Sequence, residues 1–334
     1  MFELPAALAD QVARLAGPTN QRNQDQLGVT TRQLIDRYQS DTPAVPGKPI
    51  MAGEREALAY AVYRMPATYA AIRTVLDQLP DQSVLPGAQH LDIAGGTGAA
   101  VWAVADRWPA VAGHTVLEQS TAAINLGRKV AAGAGSGPVR QANWEQFVIS
   151  AGVELPAADV VTIGYLLSEI DARLRTELIE AALASTRQLM IITEPGTKNG
   201  YRRILDAREQ VIEAGWRILA PCPHQLDCPL QNDEGDWCHF SARLNRSVVH
   251  RRAKGAELGY EDEKFSYLVA APAPVSQANG PVDGRVLRHP RFPKGRVELV
   301  VCQQSGRAER VTVAKRDPDL YRQARKVEWG DPWP

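Results

Sequence analysis

The run Leu91-Asp92-Ile93-Ala94-Gly95-Gly96-Thr97-Gly98 closes an apolar stretch with a carboxylate and then breaks into glycines, just before the apolar-rich segment Ala99 to Trp108. Such residues make a strand, a tight turn and a helix start. Glycine lets the turn take positive φ and lets a ligand approach the backbone. The free N–H groups of the helix start favour an anionic or carboxylate-bearing ligand. A nucleotide-like molecule is therefore expected at Asp92, Gly95, Gly96 and Gly98. A second short strand, His114 to Glu118, ends on an acid about 20 residues downstream, where a doubly wound sheet places the carboxylate that holds ribose hydroxyls. Glu118 is the expected ribose ligand. The plainer alternative is a turn flanked by polar strand ends.

All four cysteines, Cys222, Cys228, Cys238 and Cys302, lie in the last third of the chain. The first three fall in a Pro-rich stretch, with Pro221, Pro223 and Pro229 beside them. Cytosolic chains seldom keep disulfides, so clustered thiols suggest a metal site. The spacing fits no common zinc finger. Four thiolates on loops able to wrap a ligand suit an iron–sulfur cluster. Zinc held by some of these cysteines with His224 or His239 is the metal alternative, and buried free thiols are the plain one.

The elements that must position these groups alternate. Leu8 to Leu15, Thr31 to Tyr38 and Glu54 to Leu79 read as helices, the last kinked or divided by Pro66, with a break through Pro43, Pro46 and Pro49. From His90 to Glu194 strands (90–93, 114–118, 139–142, 159–164, 189–193) alternate with helices (99–108, about 120–132, 172–185), which predicts a parallel sheet with the ligand at the strand carboxyl ends. Trp216 to Ala220 and Phe265 to Ala270 complete it as an antiparallel pair. Ala271 to Gly284 reads as a linker. Arg296 to Cys302 and Arg310 to Lys315 alternate around Ser305-Gly306 as a hairpin.

The pattern D-x-x-G-G-x-G differs from the dinucleotide fingerprint and resembles the first motif of S-adenosylmethionine-dependent methyltransferases. That resemblance puts adenine contacts after the third strand, at Asn143 and Trp144. After the fourth strand the chain reads Gly164-Tyr165-Leu166-Leu167-Ser168-Glu169, without the Asx-Pro-Pro-aromatic turn of base amino-methylating enzymes, and no cysteine nucleophile lies nearby. No catalytic residue stands out; Tyr165 and Glu169 are the candidates.

Glu194-Pro-Gly-Thr197, Ala220-Pro-Cys-Pro-His224, Asp236-Trp-Cys-His-Phe240 and Tyr260-Glu-Asp-Glu-Lys-Phe-Ser-Tyr267 resemble the small-ribosomal-subunit methyltransferase-like family, over about residues 55–330. Its mitochondrial members are methyltransferase-like-seventeen and, in yeast, Rsm-twenty-two. The resemblance implies a bacterial relative of those assembly factors, with the small subunit and its 16S rRNA as partners. It also implies S-adenosylmethionine in a class I methyltransferase (Rossmann-like) α/β domain, and a [4Fe-4S] cluster on Cys222, Cys228, Cys238 and Cys302. The expected organisation is an N-terminal helical region (1–85), the methyltransferase-like domain (86–220), a cysteine-rich basic insertion (221–264), a closing strand (265–270) and a basic β module (285–330).

The formal net charge is zero, but Ser241 to Lys254 carries five bases and no acid, and Arg285 to Lys326 carries twelve bases against four acids. Arg243, Arg246, Arg251, Arg252, Lys254, Arg288, Arg291, Lys294, Arg296, Lys315 and Arg316 are thus expected to meet RNA phosphates. An acid stands where a signal peptide needs bases, and no run approaches a membrane span. A cytoplasmic monomer is expected.

Overall fold

A computed structural model describes residues 1–17, 21–39, 48–274 and 282–334. Helices α1 (Ala6–Ala16), α2 (Gln21–Gln39), α3 (Glu54–Tyr63) and α4 (Met65–Leu76) come first. Pro66 stands in the first turn of α4, where its missing N–H costs nothing, so it divides the apolar-faced stretch into two helices. Strand and helix then alternate through β1 (Gln89–Ile93), α5 (Ala99–Arg107), β2 (Gly113–Glu118), α6 (Thr121–Ala131), β3 (Asn143–Gln146), β4 (Ala158–Gly164), α7 (Ala172–Ser185), β5 (Thr186–Pro195) and α8 (Lys198–Glu213). Next are β6 (Arg217–Ala220), β7 (Phe240–Asn245), α9 (Val248–Lys254) and β8 (Tyr260–Ala271). The chain ends with β9 (Gly284–Val286), β10 (Arg296–Gln303), β11 (Ala308–Ala314), α10 (Pro318–Ala324) and β12 (Pro332–Trp333). No described helix is long and apolar enough to cross a membrane.

The main sheet runs β3-β2-β1-β4-β5-β8-β6, with β7 also on β8. The first five strands are parallel, and β8 is antiparallel to β5, β6 and β7. Strand order reverses at β1, between β2 and β4, so a crevice opens beyond the carboxyl ends there. Central strands are buried on both faces because helices cover both sides. Helices α3 to α6 pack Val75, Leu76, Trp102 and Val104 with Val116 and Val160. On the other face α7 and α8 pack Leu178, Ile179 and Val211 with Leu91, Ile93 and Val161. A second sheet, β11-β10-β9-β12, has its own small core of Val286, Val297, Leu299, Val301 and Trp333. Arg285 of β9, 1% exposed, ties this sheet to the rest. It donates to the Pro221 carbonyl at 3.0 Å, to the Gly330 carbonyl at 2.8 Å and to the Gln78 amide oxygen.

One expectation fails in register. The third strand lies at Asn143–Gln146 and not at 139–142, because pairing with Thr115 to Glu118 of β2 fixes it. Seven of the linker residues expected at 271–284, 275–281, lie outside the described residues, as do Pro43 and Pro46.

Candidate cofactor cavity and cysteine pocket

A cavity of about 850 Å³ opens beyond the ends of β1 to β4. Gly96, Glu118, Phe147, Tyr165 and Glu169 line it, along with Arg64 and Tyr60 from the helical region. Glu118 anchors its floor: one carboxylate oxygen accepts from the Gly96 N–H (2.9 Å), the other from the Ser120 N–H (2.8 Å). Burial raises the Glu118 carboxyl, against those hydrogen bonds. Each oxygen keeps a lone pair, so a vicinal diol entering here finds two charged acceptors.

Asp92 lies beneath the turn and does not line the cavity. Its Oδ1 accepts from Thr162 (2.7 Å), its Oδ2 has no partner, and burial lifts it to about 7. A Cβ on Gly95 would stand 2.4 Å from that oxygen, so the glycine is required by the buried acid below. Thr162 has a single proton, given to Asp92, so it accepts from His90 Nε2 (2.9 Å). His90 Nδ1 then accepts from His114 Nδ1 (2.9 Å). Burial holds both imidazoles below their usual range, hence neutral.

Neither Asn143 nor Trp144, where adenine contacts are expected, lines the cavity. Trp144 is 5% exposed and fills the space under Gly98 and Gly127, whose Cβ atoms would stand 2.8 and 2.2 Å from its ring. Asn143 donates to Glu145 at 2.5 Å on an exposed edge. The shifted strand instead delivers Phe147, Val148 and Ile149 to the cavity.

The segment after β4 forms the opposite wall. Tyr165 has φ +59°, a strained backbone that marks this corner. Its hydroxyl donates to Glu263 (3.0 Å), and Arg64 lies over its ring (4.3 Å) while bonding Glu263 (2.9 Å). Glu194 fixes the segment, accepting from the Leu167 N–H (2.9 Å) and from Arg203 (2.8 Å). Burial still lifts Glu194 to about 7. A Cβ on Gly200 would stand 2.0 Å from the Pro195 carbonyl. The Glu194-Pro-Gly-Thr197 motif is therefore a clamp that holds the cavity wall to α8. The carboxyl of half-buried Glu169 has no hydrogen-bond or ion-pair partner among the described residues; its backbone N–H donates to the Leu166 carbonyl at 2.8 Å. Burial, then the Glu118 and Glu194 charges, push it up to about 8.

Residues before Glu54 supply one side that sequence reasoning missed. Ile35, Tyr38, Ile50 and Met51 line the cavity, and the Met51 carbonyl accepts from the Ser120 hydroxyl. The spacing of Leu34, Ile35 and Tyr38 shows an apolar face but nothing of what it covers.

The four cysteines line a separate small pocket with Pro221, Pro229, Leu230, Arg285 and Leu287. Cys228 meets the Tyr201 hydroxyl (3.1 Å) and Cys302 meets His224 Nε2 (3.4 Å). Burial pushes the Cys222, Cys238 and Cys302 thiols up, Cys302 to about 12, and neighbouring thiols add to each. Arg208, 6% exposed, and Arg285 stand close enough to oppose that rise. Among the described residues no three His, Cys, Asp or Glu side chains form the ligand set of a metal ion. Of the two histidines, His224 meets Cys302, whereas His239 packs against Trp237 and Trp329.

The expected RNA contacts divide. Arg243 is held by both oxygens of Asp262 (2.6 and 2.7 Å), Arg246 by Glu261 (3.1 Å), Lys254 by Glu261, Arg288 by Asp236 and Arg296 by Glu298 (2.8 Å). These are structural pairs, and Arg251 is half-buried. Arg252, Arg291, Lys294, Lys315 and Arg316 stay exposed.

The sheet order, the glycine turn and the acid ending β2 define a doubly wound fold of the methyltransferase type. The chain belongs to the family described as mitochondrial small ribosomal subunit Rsm22, which matches residues 54–334. It is similar to the human ribosome assembly protein METTL17, mitochondrial, with 27% identity over 82% of this chain and 62% of that one. The ribosome assembly protein RSM22, mitochondrial, of Saccharomyces cerevisiae is 24% identical over 35% of this chain and 28% of that one. The chain thus spans less than two thirds of these relatives. A solved magnesium protoporphyrin IX methyltransferase from Synechocystis with bound SAM is 14% identical over 66% of this chain and 84% of that one, with a TM-score of 0.42, a loose likeness that adds nothing to the topology.

Proposed function

We propose that this chain is a binding and assembly factor of the small ribosomal subunit that takes S-adenosylmethionine in its cavity and a [4Fe-4S] cluster on Cys222, Cys228, Cys238 and Cys302. Relatives named as ribosome assembly proteins support the first part, the Glu118 acceptor pair the second. The observation that carries the reading is the convergence of four thiols from the insertion and from β10 on one pocket. A [4Fe-4S] cluster would need four thiolates, and four thiols line this one pocket. Arg208 and Arg285 offset the negative charge of four thiolates. Cys222, Cys228 and Cys238 of the insertion and Cys302 of β10 would hold the cluster, and its binding would then add folding energy to the C-terminal sheet. Burial raises the Cys222, Cys238 and Cys302 thiols, which keep their protons when unligated, so loading releases protons.

The test is anaerobic purification with iron and sulfide measured on the sample that is titrated calorimetrically with S-adenosylmethionine and sedimented with small subunits. About four irons per chain, micromolar cofactor binding and co-sedimentation support the reading. A colourless protein free of iron removes the cluster, and absence from the subunit peak removes the assembly role.

Glu169 favours a second reading, active methyl transfer. A carboxyl near neutrality facing the cavity can accept the proton that an amine or hydroxyl nucleophile loses as the methyl group leaves the sulfonium. Labelled methyl transfer to small subunits from a strain lacking the protein, lost in Glu169→Gln, supports it; no transfer by wild type excludes it.

A further inference from the structure

One corner of the C-terminal sheet is used by neither the cavity nor the cysteine pocket. Residues Arg291 to Arg296 double back on β10: Arg291 and Glu298 exchange two backbone hydrogen bonds of 2.9 Å. Arg296 N–H donates to the Pro293 carbonyl (3.2 Å), and Gly295 turns the chain at φ +79°. Lys315 N–H donates to the Gly295 carbonyl (3.2 Å), which brings the end of β11 to the same place. The turn carries Phe292, 58% exposed, the one aromatic among the exposed large apolar side chains of the described residues. Arg291 and Lys294 lie beside it in the turn, and Lys315, which that backbone bond brings to the turn, is followed by Arg316; all four are exposed, and none has an ion pair among the described residues. The nearby acid, Glu298, is taken by Arg296 at 2.8 Å.

Cations alone would suit any phosphate backbone. A ring left in water among four unpaired cations asks for a partner that is both flat and anionic. We propose that this corner binds single-stranded RNA, with one unpaired base stacked on Phe292 and the flanking phosphates on Arg291, Lys294, Lys315 and Arg316. A duplex has no free base face to offer, so the ring selects unpaired nucleotides. The backbone bonds at Arg291 and Lys315 hold the corner rigid, and little order is lost on binding. This deepens the proposed function, since it rests on the chain meeting small-subunit RNA.

The test uses the full chain loaded with its cofactors, a labelled single-stranded dodecamer of RNA, the same sequence as a duplex, and immature small subunits. Wild type is expected to bind the single strand at least tenfold tighter than the duplex. Phe292→Ala is expected to weaken the single strand about 5- to 150-fold, the range for loss of one stacked base. Phe292→Trp should restore affinity, which a merely structural role would not predict, and Lys294→Glu should lower the salt dependence. Equal affinity of Phe292→Ala and wild type overturns the stacking platform. Binding of small subunits without binding of the single strand overturns it too, pointing to a protein partner, while the assembly role survives. Binding of none of the three overturns both.

Discussion

Replacing Glu118 with Gln keeps the shape of the side chain and removes its charge. In the native cavity two backbone N–H groups, of Gly96 and Ser120, donate to different carboxylate oxygens at 2.9 and 2.8 Å. A glutamine offers one oxygen, so one of these buried donors faces an NH₂ group and costs about 1–3 kcal/mol. Burial opposes the native charge, and the neutral side chain recovers part of that, leaving a net destabilisation of about 1–2 kcal/mol. The ligand loses more. A ribose hydroxyl that donated to a carboxylate forfeits a charge-assisted bond of about 1.5–3 kcal/mol, and cofactor affinity falls about 10- to 150-fold. Urea denaturation reads the first quantity and calorimetric titration with S-adenosylmethionine the second. A variant that binds the cofactor as tightly as wild type while losing the expected stability would refute the assignment of Glu118 to the ribose.

Asp92 and Glu169 titrate at about 7 and about 8 in the folded chain. Because both are raised, the folded state holds their protons longer than the unfolded one. Stability falls as pH rises from about 5 to 8, by up to about 1.4 kcal/mol per pH unit for each group; denaturation midpoints that are flat across this range count against it. Cofactor affinity runs the other way, because ionised Glu169 attracts the cationic sulfonium: it strengthens from pH 6 to 8, and Glu169→Gln flattens the profile in calorimetry. Cys302→Ser removes one of four thiols and should make residues 284–334 markedly more sensitive to limited proteolysis in iron-loaded protein; an unchanged digestion pattern argues against a cluster that braces the sheet. Trp144→Ala should cost about 3–5 kcal/mol while the folded fraction binds the cofactor normally, and a large affinity loss at native stability would return Trp144 to the adenine.

The strand, turn, helix and second acid around Gly95 to Glu118 were legible because each signal is local: apolar runs, glycines and a carboxylate in fixed order. The division at Pro66 was legible for the same reason. The third strand was not. In Asn143–Gln146 only Trp144 is buried, so no alternation marks it, and its place is set by β2, far back in the sequence. The same holds for the bases of the insertion: Arg243 and Arg246 look free until β8 lays Asp262 and Glu261 across from them. Meanwhile Phe292 offered no signal, because exposure is a property of the folded surface. The cysteines were legible as a set, yet Cys302 joins the others only because β10 crosses to the insertion.

The cover of the cavity and its floor lie on different sides of one boundary in the chain. Gly96, Glu118 and the Tyr165 wall fall within the stretch shared with the family, residues 54–334, whereas Ile35, Tyr38, Ile50 and Met51 lie before it. A cavity whose floor and roof come from separate stretches of chain can keep its ligand-binding backbone while the roof sets what is admitted beside it. Swapping the first 53 residues between relatives would then exchange ligand selectivity without touching a single residue of the glycine turn.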